Sequence, residues 1–135
     1  MKKSLLLSSL ALGLALSTGV LAQEVKVNLS GAEENPPVTT SAKGVAVVKV
    51  NPDMTVSVTV TTSGVEATAS HIHMAAKGAN GGVIVPFTKQ GDAWVSAPGA
   101  KFTPEQFAAF KAGNTYVNVH SKANPGGEIR GQIVP

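Results

Sequence analysis

Between Gly44 and Thr62 the sequence reads GVAVVKVNPDMTVSVTVTT, and no other stretch restricts the fold as much. Met54, Val56, Val58 and Val60 alternate with Thr55, Ser57, Thr59 and Thr61. A period of two in β-forming residues predicts a strand with one buried face. The strand before it ends at Val50, and Asn51-Pro52-Asp53 supplies the turn, with Pro52 presetting φ for a turn position. Further strands are predicted at Val25 to Leu29, Ala69 to Met74, Val83 to Phe87, Ala93 to Ala97, Thr115 to His120 and Glu128 to Val134, each bounded by Gly, Pro or Asn. About 7–8 short strands make an all-β sandwich or barrel.

One segment breaks the pattern. In FTPEQFAAFKAGN, Thr103 is placed as an N-cap, Pro104 at the first helical position, Gln106 three residues after the cap and Gly113 as terminator. This predicts a short helix over 104–112, with Phe102 before the cap and Phe107 as a hydrophobic staple and Phe110 one turn on, whose aromatic side seals the core. The stretch GAEENPPVTTSAKG is a loop or an edge segment, because Pro36 and Pro37 donate no ladder hydrogen bond.

The first 22 residues read as a secretory leader: Lys2 and Lys3, an apolar run from Leu5 to Leu16, and the small-residue exit Val20-Leu21-Ala22. The run is shorter than the roughly 18 residues that read as a membrane span, so no transmembrane anchor is expected after cleavage. The expected destination is the periplasm or the medium. The chain has 11 Lys and Arg against 8 Asp and Glu and no cysteine. Two of those lysines leave with the leader, so the mature charge is about +1. With no basic, aromatic-interleaved cluster, nucleic acid is excluded as a partner. Residues 23–135 suffice for one domain.

SHIHMAA places two of the three histidines two positions apart. In a strand, residues i and i+2 share a face, so His71 and His73 point together and away from Ile72 and Met74. Apolar Ile72 belongs in the core, so the imidazoles face outwards. In YVNVHS the same alternation puts Val117 and Val119 inside with Tyr116, Asn118 and His120 outside. EIRGQIV puts Glu128, Arg130 and Gln132 outside, and one hairpin register sets His120 across from Glu128, Asn118 from Arg130 and Tyr116 from Gln132. If the His71 strand lies beside this patch, His71, His73 and His120 converge as three neutral nitrogen ligands, a set suited to copper or zinc. Water or Glu128 would take an open position. HxH on a solvated strand face without a metal is the bland alternative. KGANGGV lacks the GK[ST] ending of a phosphate loop and reads as a turn. Neither paired catalytic carboxylates nor a Ser-His-acid arrangement is present to require an enzyme.

Three blocks, LSGAEENPPVTTSAKGVAVVKV, SHIHMAAKGANGGVIV and YVNVHSKANPGGEIRGQI, resemble the CHRD (chordin) domain family across nearly all of the mature chain. The middle block departs from the family pattern where Ala75 and Gly82 replace its usual glycine and proline. The resemblance implies an immunoglobulin-like or Greek-key β-barrel, exported in microbes and, in chordin, binding growth factors outside the cell. HxH followed by a late strand histidine also resembles the copper half of copper/zinc superoxide dismutase, whose ligands sit on the outside of a barrel. Three functions follow: a non-enzymatic copper- or zinc-binding barrel, a metal-independent extracytoplasmic protein-interaction module, and a copper-dependent dismutase in which Arg130 attracts the superoxide anion. The chain lacks the dismutase's fourth copper histidine, the additional ligands of its zinc half and its disulfide.

Overall fold

The valine- and threonine-rich runs pair into antiparallel ladders in the computed structural model, which describes residues 21–135. The leader expected over residues 1–22 lies, but for its last two residues, outside them. Eight strands form: β1 (Gln23–Ser30), β2 (Lys43–Val50), β3 (Val56–Ser63), β4 (Ala67–Met74), β5 (Val83–Gln90), β6 (Ala93–Ser96), β7 (Thr115–Ser121) and β8 (Ile129–Ile133). They close into a barrel in the order β1-β2-β3-β6-β5-β4-β7-β8. Neither β3 and β4 nor β6 and β7 are neighbours, so both connections cross from one part of the wall to another, in the Greek-key manner. The β1–β8 seam is joined at Ser30 and Arg130.

Alternation selects the interior as expected. Val48, Val58, Val60, Ile72, Val117, Val119, Ile129 and Ile133 are all inside the wall and inaccessible or nearly so. The second connection carries α1 (Pro104–Lys111), capped by a reciprocal pair: Gln106 N donates to Thr103 Oγ1 at 3.2 Å and Thr103 N to Gln106 Oε1 at 2.9 Å. Phe110 packs against both Phe102 and Phe107 and brings this helix onto the core.

The central hairpin differs in one detail. Met54, expected as the first residue of the second strand, lies in the left-handed region at φ 73°, and β3 begins at Val56. Asn51 N donates to Thr55 O and Met54 N to Asn51 O, both at 2.9 Å, which makes a three-residue loop. Such a loop needs a left-handed residue to match the right-handed twist of its strands.

The stretch with Pro36 and Pro37 is a loop, residues 31–42, beginning with a short 3-10 turn at Gly31–Glu33. It reaches the outside of β7 and β8, where Thr40 Oγ1 donates to Glu128 Oε2 at 2.9 Å. The glycine-rich loop 75–82 between β4 and β5 meets it: Asn80 Nδ2 donates to Asn35 O at 2.8 Å, and Lys77 pairs with Glu33 at 3.7 Å. Thus part of the barrel's outer wall is roofed by loops.

Candidate metal centre

β4 lies directly against β7, and the register sets Ala69 opposite His120, His71 opposite Asn118 and His73 opposite Tyr116. The two-residue repeat of β4 then turns His71 and His73 to the same outer face as His120, with Ile72 fully buried on the other side. The ring centroids are 5.4 Å apart for His71 and His73, 4.9 Å for His71 and His120, and 5.8 Å for His73 and His120. One nitrogen from each ring lies within 4.8 Å of the other two.

Two backbone carbonyls decide which nitrogens are free. His73 Nδ1 lies 2.9 Å from Gly81 O, and His120 Nδ1 lies 2.8 Å from Pro125 O. A carbonyl only accepts, so each Nδ1 carries the proton and each Nε2 keeps its lone pair. Those two Nε2 atoms and His71 Nδ1 are buried and have no hydrogen-bond partner among the described residues. Leaving a buried polar atom unmet costs on the order of 1–3 kcal/mol. Two of the rings also resist protonation as a way out. Burial, helped by the neighbouring His120 and His73, holds the His71 pKa down to about 4, and burial lowers that of His73. Three desolvated ring nitrogens therefore share one small space, where a Lewis acid could satisfy all of them.

The surroundings correct the expectation of a solvated outer patch. His73 is buried, as are Tyr116, Asn118, Glu128 and Arg130, although all stand outside the barrel wall. The roofing loops are the reason. The Tyr116 ring lies parallel to that of His73, with centroids 4.9 Å apart, and its hydroxyl accepts from Gly81 N at 3.2 Å. Gly81 therefore grips both rings. A Cβ at this position would run into the carbonyl of Met74, so only glycine fits.

The register predicted for β7 and β8 is present at two of its three pairs, Asn118 opposite Arg130 and Tyr116 opposite Gln132, while the ladder stops at Val119 and Ile129, one step short of His120 and Glu128. Two roles assigned to these strands change. Glu128 does not serve the histidines: its carboxylate accepts from Thr40, from Ser121 at 2.7 Å and from Asn124 at 3.2 Å, and the Ser121 bond leads in holding its pKa low. Arg130 is 1% exposed, with its Cζ 3.4 Å from the Tyr116 centroid. It donates to Asn80 Oδ1 at 3.1 Å and to Ala76 O at 3.3 Å. A guanidinium spent on the loop and sealed from solvent is not placed to touch an incoming anion. Gln132 completes the clamp, donating to Ala75 O and Gly113 O.

Sequence reasoning missed Glu34. This carboxyl from the 31–42 loop is buried beside Asn118 and Gly127, and its Oε1 has no hydrogen-bond partner among the described residues. Burial pushes its pKa up to about 7, against the pull of Arg130. Nothing in the aperiodic segment around it signals an inward-facing acid.

Residues 25–133 match the family model described as the CHRD domain. The chain belongs to the CHRD domain family. Compared with curated proteins and with solved structures, it finds no match. In this CHRD domain the three blocks that carry the resemblance are also the three parts of the centre. The first supplies the roofing loop with Glu34 and Thr40, the second His71, His73 and Gly81, and the third Tyr116, His120 and Arg130. Among the described residues, no helix of the domain is long and apolar enough to cross a membrane.

Proposed function

We propose that this CHRD domain is a non-enzymatic metal-binding protein that holds a copper or zinc ion through His71 Nδ1, His73 Nε2 and His120 Nε2, and that it works after export from the cytoplasm. The observation that carries the reading is the convergence of three buried, unpartnered nitrogens. A non-metal module would have no use for such a costly arrangement. Bonds of about 2.0–2.1 Å to each nitrogen require the rings to draw together slightly. Export rests on the leader sequence alone. A dismutase-like role receives no direct support from Arg130, whose burial keeps it from contact with superoxide.

The test is a titration of the purified protein with Cu(I), Cu(II) and Zn(II), beside a His71→Ala/His73→Ala variant. One equivalent of metal should bind only to the parent. At a free concentration near 100 times Kd, binding should raise Tm by about 10 °C. Equal behaviour of the two proteins would overturn the metal reading and leave an extracytoplasmic protein-interaction module as the alternative.

A further inference from the structure

We infer that this site selects a monovalent ion, Cu(I), over Zn(II) and Cu(II), and that the guanidinium of Arg130 is the specificity-determining group. The inference rests on the reading of the three histidines as a metal site and adds the charge of the ion.

Ligand type alone does not discriminate, since imidazole suits both copper and zinc. Charge does. All three donor nitrogens belong to imidazoles, which bring no charge when they act as ligands, and among the described residues no carboxylate belongs to the cluster, which holds His71, His73 and His120 alone: Glu128 is committed to Thr40, Ser121 and Asn124, and Glu34 lies beside Gly127 and Asn118. A bound ion therefore keeps its whole charge in a desolvated position. The penalty for removing an ion from water rises with the square of its charge, so a dication pays far more of it than a monovalent ion does.

Arg130 adds to this difference. Its Cζ is 3.4 Å from the Tyr116 ring centroid, and that ring stacks on His73 at 4.9 Å. Among the described residues Arg130 makes no ion pair within 4 Å, and its hydrogen bonds go to neutral acceptors on Asn80, Ala76 and Gln132. Glu34 is the carboxyl that acts on it, and burial keeps that acid only partly ionised at neutral pH. At a separation of about 10 Å and an effective dielectric constant of about 20, one fixed positive charge weakens binding roughly tenfold for each further positive charge on the ion. Because the guanidinium is buried, salt screens little of this.

The experiment is a competition on the full protein: Cu(I) under ascorbate against bicinchoninate, and Zn(II) and Cu(II) each against a chromogenic chelator of known affinity. The parent should hold Cu(I) at least tenfold more tightly than either dication. Arg130→Lys should keep that preference, Arg130→Gln should reduce it roughly tenfold, and Glu34→Gln, which leaves the loop clamp intact, should enlarge it. The Cu(II)/Cu(I) potential should fall in Arg130→Gln. If Arg130→Gln does not fold, the parent and Glu34→Gln decide. Dications bound as tightly as Cu(I), or a preference unmoved by these charge changes, would overturn the inference while leaving the metal site standing. Absence of every metal from the histidines would overturn both.

Discussion

Tyr116 lies flat on His73, their planes 3° from parallel, while the Tyr116 hydroxyl and the His73 ring are tied to the amide and the carbonyl of the same residue, Gly81. A candidate ligand is thus fixed over its face and at its edge by one tyrosine and one glycine.

Tyr116→Phe removes the acceptor for Gly81 N and keeps the stack. It should lower the stability of the metal-free protein by about 1 kcal/mol in urea unfolding. Tyr116→Ala also removes the stack and the support for Arg130, and should cost about 3–5 kcal/mol. An equal effect of the two variants would show that the ring contributes nothing.

Gly81→Ala drives a Cβ against the Met74 carbonyl, and the loop has to shift to admit it. The expected results are a loss of about 2 kcal/mol or more and weaker metal binding, read by unfolding and by titration. Gly82→Ala, where a Cβ meets nothing within 4 Å, is the control and should leave both unchanged.

Acid should weaken the metal-free protein through His71 and His73. Both pKa values are lower in the folded state, that of His71 to about 4, from an ordinary value of 6.5. The unfolded chain therefore binds more protons between about pH 6.5 and pH 4, and stability falls as pH drops through that window. His71→Gln should flatten this part of a stability profile measured by urea midpoints.

Glu34 acts in the opposite sense. Its pKa is raised from 4.5 to about 7, so the folded state holds a proton that the unfolded state has released, and stability falls as pH rises across that range. Glu34→Gln should gain stability over the parent progressively from pH 4.5 to 7 and keep a constant advantage above it. A constant difference across the whole range would show that the carboxyl does not titrate differently on folding.

The barrel was readable because its signal is local. Each strand announces itself by alternation between turn residues, and Thr103, Pro104 and Gln106 spell out a helix start. The face shared by His71, His73 and His120 was readable for the same reason, as was the register of Asn118 against Arg130. What alternation cannot convey is whether the outward side of a strand meets water. Arg130 and Tyr116 sit on outward positions and are buried because loops from residues 31–42 and 75–82 fold over them, and those loops have no period to read. The same blindness concealed Glu34 and made Glu128 look available. Met54 was misread because a hydrophobic residue in phase with Val56 hides a turn position that only its backbone angle reveals.

The seam of the barrel has a consequence for when the centre comes into being. Arg130 joins β8 to β1 at Ser30 and also braces Tyr116 and the 75–82 loop. A ribosome delivers residues in order, so a nascent chain that already displays His71 and His73 still lacks His120, and one that displays all three still lacks their brace. Ring closure and completion of the centre fall together once β8 has been delivered, and an ion held by the three histidines would be held by a finished barrel.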